Sequence, residues 1–202
     1  MLVIGITGPS GAGKGALSDI LSSFGMRVID ADNVYKNIII PPSKCLDELV
    51  CNFGSQILNI DGSLDRKLLA KLVFGEENHD KLLLLNTITH KYVVQSIRET
   101  VEACRLQGEK ACVIDAPLLI EAGLCSDCSV TIAVLADKAV RQERIVSRDG
   151  ITIEAAMSRI GSQKDDEFYI SNTDHTIYND ADIEALKSKV IKLLQDRKCD
   201  CL

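Results

Sequence analysis

The stretch Gly8-Pro9-Ser10-Gly11-Ala12-Gly13-Lys14 carries residue types that can grip a phosphate, at the spacing G-x-x-x-x-G-K. Glycines let consecutive main-chain N–H groups converge without Cβ clashes, and such a nest of amides binds anions. A helix starting near Lys14 would add its positive dipole end, and the lysine ammonium could reach the β- and γ-phosphates of ATP as a mobile point charge. The next position, where a Ser or Thr hydroxyl would ligate Mg2+, is Gly15, followed by Ala16. Neither offers an oxygen. Mg2+ would then be held through phosphates, waters and carboxylates, which suits its habit of keeping waters.

Gly11-Ala-Gly13-Lys-Gly15-Ala16 also fits G-x-G-x-x-G/A, with Asp30 near the distance at which a dinucleotide fold keeps its ribose-binding acid. In that fold the first glycine follows the strand at once. Here Gly8-Pro9-Ser10 intervenes and makes the longer loop that wraps a phosphate, so the kinase reading is preferred.

Asp30-Ala31-Asp32 is the next cluster. In an extended segment alternate residues point the same way, so either carboxylate could face the phosphates. Transfer to an alcohol needs a group to accept the alcohol's proton, help worth about 10²–10⁴-fold. Asp32 is taken as that base and Asp30 as support for Mg2+; the alternative is a helix N-cap ahead of Asn33. Arg141, Arg144 and Arg148 recur at i, i+3 and i+7, a basic stripe in an acidic chain. Alone it would be a solvated face, but beside a phosphate loop arginines on a lid stabilise the charge of the transferred group. The functional reading is taken first for Arg144, then Arg148, and last for Arg141. Asp115 follows an apolar run and is placed either as a second metal-side acid or as a turn cap. His90 lies in a helical stretch, where a lone histidine usually packs. No N-K-x-D or D-x-x-G element appears, which disfavours a GTPase switch.

These residues need a scaffold. Residues 2–7 read as a buried strand, Leu17, Ile20, Leu21 and Phe24 as one helical face closed by Gly25, and Arg27 to Asp30 as a second strand. Strand, glycine loop, helix, strand opens a parallel α/β sheet. From about 43 to 105 only helical periodicity appears: Leu46, Leu49, Val50 and Phe53; Leu68, Leu69, Leu72 and Val73; then Leu82, Leu85, Ile88, Tyr92, Ile97 and Val101. Strands resume at 111–115 and 129–135, with helices at about 137–148 and 152–163. A last strand near 174–178 precedes a helix with Ile183, Leu186, Val190, Leu193 and Leu194 inward. The fold class is α/β, a three-layer P-loop NTPase fold with a helical insertion. Arg197 to Leu202 reads as a loose tail.

The 202 residues, 46% hydrophobic and 26% charged, suit one globular domain with an insertion. A net charge of −6 argues against a protein that coats nucleic acid. No run approaches the ~20 apolar residues that span a bilayer, and the start lacks a basic leader, so a cytoplasmic location is expected. Cys125-Ser-Asp-Cys128 and Cys199-Asp-Cys201 could build a zinc site, but no histidine lies near either pair. Reduced, incidental thiols are expected among the eight cysteines.

Along nearly its whole length the chain resembles the dephospho-coenzyme A kinases. The resemblance rests on the phosphate loop, Val28-Ile-Asp-Ala-Asp32, Phe53-Gly54, Asp61-Gly-Ser-Leu-Asp-Arg66 with Leu69-Ala70 and Val73-Phe74, and His90. It continues through Ile114-Asp-Ala-Pro-Leu-Leu-Ile-Glu121, Gln142-Glu-Arg144 with Arg148-Asp149, Arg159-Ile160 with Gln163, and Ile177-Tyr-Asn179. It implies transfer of the ATP γ-phosphate to the ribose 3′-hydroxyl of dephospho-CoA, the last step of coenzyme A biosynthesis. A nucleotide core (1–32 and 111–202), a helical CoA-binding insertion (33–110) and a lid (137–165) follow from it. Gly8, Gly11, Ala12, Gly13, Lys14, Gly15, Ala16, Arg144, Arg148 and Asn179 would bind ATP. Asp32 would be the base, with Lys14 and Arg144 at the transferred group. Asp32, Arg66, His90, Pro117, Leu118 and Glu121 would meet the acceptor. A monomer with no nucleic-acid or membrane partner is expected.

Three departures stand out: Gly15-Ala16 in place of Ser-Thr, Lys91 after His90 in place of Pro, and Asp180-Ala181 after Asn179 in place of a glycine turn. A Lys-Gly pair does occur in adenylate and cytidylate kinases, which the loop resembles at that point. Two other readings are a nucleoside monophosphate kinase, which the helical insertion and Pro-Leu-Leu-x-Glu run speak against, and a nucleotide- or CoA-binding regulator, motivated by the missing hydroxyl.

Overall fold

The computed structural model describes residues 1–196; the stretch from Arg197, with the Cys199 and Cys201 pair, lies outside the described residues. The chain divides into two compact units, Met1–Asp30 with the chain from Val101 onward, and Ala31–Thr100.

In the first unit five strands, β1 (Leu2–Thr7), β2 (Arg27–Asp30), β3 (Ala111–Asp115), β4 (Val130–Leu135) and β5 (His175–Tyr178), form one parallel sheet in the order β2-β3-β1-β4-β5. Every pairing is parallel. A parallel sheet is covered on both faces, so its strands are continuous apolar runs, and all six residues of β4 are buried. On one face Leu17, Ile20 and Leu21 of α1 (Lys14–Ser23) pack with Leu186, Val190 and Leu194 of α9 (Ile183–Asp196) against Ile4, Ile6, Val113, Ile132 and Val134. On the other, Ala133 and Leu135 meet Tyr169 of α8 (Asp166–Asn172). Between β4 and α8 run α6 (Lys138–Asp149) and α7 (Ile153–Gly161).

The second unit is helical: α2 (Ala31–Ile38), α3 (Lys44–Phe53), α4 (Arg66–Val73) and most of α5 (His79–Leu106). Its core gathers Leu46, Leu49, Phe53, Leu69, Val73 and Ile88. Ser43 accepts from the Leu46 N–H at 3.1 Å and Asp65 from the Leu68 N–H at 2.9 Å, caps that start α3 and α4 and are worth about 1 kcal/mol each. Glu48 ties α3 to α5, accepting from Lys91 Nζ at 2.5 Å and the Tyr92 hydroxyl at 2.6 Å.

Three details differ from the sequence reading. The chain turns helical at Ala31, directly after β2, so Asp30 ends a strand while Asp32 sits in the first turn of a helix. The alternation of an extended segment therefore does not relate them, and α2 starts before Asn33. Ile183 is 52% exposed rather than inward, because it opens α9 ahead of the turns that pack on the sheet. The helix expected to run to about 163 stops at Gly161, and α8 is an additional element. No helix among the described residues is long and apolar enough to cross a membrane.

Candidate active site

Strand β1 delivers the chain at Thr7 into the glycine loop, and α1 begins at Lys14. Gly13, at the N-cap, has φ of 97°, a left-handed conformation that glycine adopts without a Cβ penalty. A Cβ there would also lie 2.1 Å from Asn179 Nδ2. That close approach comes from a hydrogen bond: Asn179, buried just after β5, donates Nδ2 to the Ala12 carbonyl at 2.9 Å. The Lys14 ammonium donates to the Gly8 carbonyl at 2.7 Å, which holds it at the loop.

Several loop oxygens are thus turned toward donors, and α6 supplies more of them. Arg144 reaches the Gly11 and Ala12 carbonyls, both at 3.4 Å. Arg148 donates to Ser10 Oγ at 3.4 Å. Arg141 is 2% exposed and donates to the Ser10 carbonyl at 3.0 Å. The Arg141 and Arg144 contacts engage loop carbonyls, while the Ser10 and Ala12 N–H groups donate to Gln163 and to the Pro9 carbonyl; a nest of main-chain amides favours an anion. Beyond the loop, Asp149 accepts from Arg148 at 2.7 Å and also from Arg159, joining α6 to α7. Those two guanidinium groups, Arg148 first, hold the Asp149 carboxyl well below the usual carboxylate range.

Asp115 ends β3 and accepts the Ser18 hydroxyl at 2.6 Å, a contact anchored to α1 one turn beyond Lys14. A Cβ on Gly15 would meet nothing within 4 Å, so the position has room for a side chain or water. A hard cation takes oxygen ligands and Mg2+ keeps several waters. The carboxylate fixed at the end of β3 is an oxygen donor of the type such an ion takes. Among the described residues no group of three or more His, Cys, Asp or Glu could hold a metal ion. Burial pushes the Cys128 thiol up to about 12 and raises Cys125 as well, which keeps both protonated.

Of the residues assigned to the acceptor, Pro117 is fixed beside the phosphate loop, its carbonyl accepting from Thr7 Oγ1 at 3.1 Å. Leu118 is 44% exposed and Glu121 is exposed. Asp32, Arg66 and His90 belong to the helical unit. Asp32 is exposed, Arg66 opens α4 close enough to Tyr35 to act on its hydroxyl, and His90 is half-buried on α5. Loop, Arg144, Arg148 and Asn179 are thus joined by direct contacts in the sheet unit. Sequence reasoning left out Ser10 and Ser18 as contact residues, and assigned Gln163 no role. The available signals were Ser10 within the phosphate loop, Gln163 among the residues of the family resemblance, and Ser18 as a polar residue in an apolar face beside Leu17.

A parallel sheet that hands its first strand to such a loop, with arginines from later helices closing on it, is the architecture of the P-loop kinases, and this chain is of that class. Residues 2–185 match the family model described as dephospho-CoA kinase. The dephospho-CoA kinase of Carboxydothermus hydrogenoformans is 34% identical over 196 residues, covering 97% of this chain and 94% of that one. The enzyme of that name from Corynebacterium glutamicum is 36% identical, covering 97% of each. The crystal structure of TT1252 from Thermus thermophilus superposes with a TM-score of 0.76 at 27% identity, covering 96% of this chain and 97% of that one. The chain belongs to the dephospho-CoA kinase family.

Proposed function

We propose that this chain transfers the γ-phosphate of ATP to the ribose 3′-hydroxyl of dephospho-CoA. The observation that carries the reading is the phosphate loop, held by Asn179 and by Arg144 in a chain that matches the family along nearly its full length. The loop amides and Lys14 bind the triphosphate. Arg144 and Arg148 supply charge against the oxygens of the transferred group, where it develops in the transition state. Asn179 borders the adenine. The acceptor oxygen forms its bond to phosphorus as the bond to the β-phosphate oxygen breaks, leaving ADP, and Asp32 takes the proton. The resemblance to the family assigns dephospho-CoA to Arg66, His90, Pro117, Leu118 and Glu121.

Asp115, held by Ser18, would retain Mg2+ through its water shell, with Asp30 as support. Bound there, the ion would neutralise charge on the phosphates.

An ADP-release assay with ATP, Mg2+ and dephospho-CoA tests the proposal. Saturable turnover that requires dephospho-CoA is expected. Turnover with nucleoside monophosphates instead would make the chain another small-molecule kinase. Tight ATP binding without turnover would make it the regulator that Gly15-Ala16 raises.

A further inference from the structure

Arg141 is buried to 2% exposure, and among the described residues no other charged side chain is so enclosed. Burying a guanidinium is costly unless its donors are matched, so its partners identify what the burial serves. Nε donates to the Ser10 carbonyl at 3.0 Å, and one terminal nitrogen donates to Gln163 Oε1 at 2.7 Å. The same Gln163 oxygen accepts from the Ser10 N–H at 3.2 Å. Both main-chain polar groups of Ser10 are therefore engaged by one arginine–glutamine pair. Burial lowers the Arg141 pKa, and the Asp166 carboxylate opposes that from a distance.

Backbone packing points the same way. A Cβ on Gly11, whose φ is 80°, would stand 2.7 Å from the Arg141 carbonyl oxygen and 3.0 Å from its Cα. The loop thus rests directly on α6 at the residue whose side chain grips Ser10. Gln163 arrives from the connection between α7 and α8, so three segments meet at one loop residue. Arg144 and Arg148, which face the loop from the next turns of α6, ride on that helix. Where Arg141 holds Ser10, it sets both the path of the loop and the distance of those two arginines from it.

We propose that Arg141 and Gln163 act together as positioning residues of the nucleotide site, fixing the phosphate loop at Ser10 and registering α6 against it. The inference rests on the phosphate loop being a nucleotide site. Its effect falls on nucleotide affinity and not on the acceptor, because the pair's hydrogen bonds run to the loop and to each other.

The test uses Arg141→Met, which keeps the length of the side chain without its donors, Gln163→Leu, and the double variant. ADP affinity is measured by calorimetry and KM for each substrate by initial rates, with circular dichroism to verify folding. Each single change is expected to weaken ADP binding and raise the KM for ATP about tenfold, with the KM for dephospho-CoA within about twofold, since one to two hydrogen bonds to a charged group are lost. The double variant should be no worse than about the poorer single one, as expected of residues in one network. Arg141→Gln, which retains an amide donor, should recover part of the loss.

Unchanged ADP affinity in folded single variants, equal losses for both substrates, or multiplying effects in the double variant would overturn the inference. Gln163 is half-exposed, so Gln163→Leu decides the matter even where Arg141→Met does not fold. Absence of ADP binding by the wild-type chain would instead remove the nucleotide site itself.

Discussion

The two units are built on different principles. In the sheet unit, the phosphate loop is cross-braced: Lys14, Asn179, Arg141, Arg144 and Arg148 all hydrogen-bond to residues between Gly8 and Ala12. In the helical unit, apolar packing around Leu49 and the Glu48–Lys91–Tyr92 cluster carries the structure, while Asp32 and Arg66 are exposed on helix first turns. A phosphate nest works only if its amides are already aimed, so preorganisation is built into one unit. A flexible acceptor can be met by exposed side chains on helices, which is the role proposed for the other unit.

This contrast can be broken by exchanging the consequences of substitution. Lys14→Ala should lower kcat/KM about 10³-fold and weaken ATP binding, whereas Asp32→Asn should lower turnover about 10²-fold or more with ATP affinity kept. Initial rates with calorimetric titration of ATP separate the two; an Asp32→Asn enzyme with near-normal turnover would remove the helical unit from the chemistry. Gly15→Ser comes next. Its Cβ enters open space on a helix, so the variant should fold and require about a few-fold less Mg2+ for half-maximal rate. An unmoved Mg2+ titration would mean that Asp115 and water already suffice.

The smallest effect concerns the join between α6 and α7. Asp149 has a folded-state pKa held below its unfolded value, near 3.9, by Arg148 and Arg159. Its contribution to stability is therefore present above about pH 3.9 and is lost as pH falls through the folded value. Asp149→Asn should be slightly less stable than wild type to urea at pH 7, and the gap should narrow at pH 3. A gap that widens in acid would contradict the pairing.

Legibility in the sequence followed the range of the interactions. The phosphate loop, β1, α1 and β2 were readable because glycine spacing and 3.6-residue periodicity are local. The arginine stripe was readable as a stripe, yet the member ranked last, Arg141, makes the closest hydrogen bonds to the loop region, and its partners Ser10 and Gln163 are 131 and 22 residues away. Nothing in a helical spacing says which of three arginines is buried. The extended path expected through Asp30 and Asp32 differs from the structure for a local reason: the strand ends at Asp30 and the helix starts at once.

By itself the sequence determined the class of fold, the phosphate loop and the order of elements around it, because these depend on residue type and near-neighbour spacing. Only the tertiary structure decided that Ser18 meets Asp115, that Asn179 lies against Ala12, and that Arg141 and Gln163 share one loop residue. Those contacts join chain segments far apart in sequence, and they exist only where a packed sheet brings its carboxyl ends and later helices within hydrogen-bonding distance.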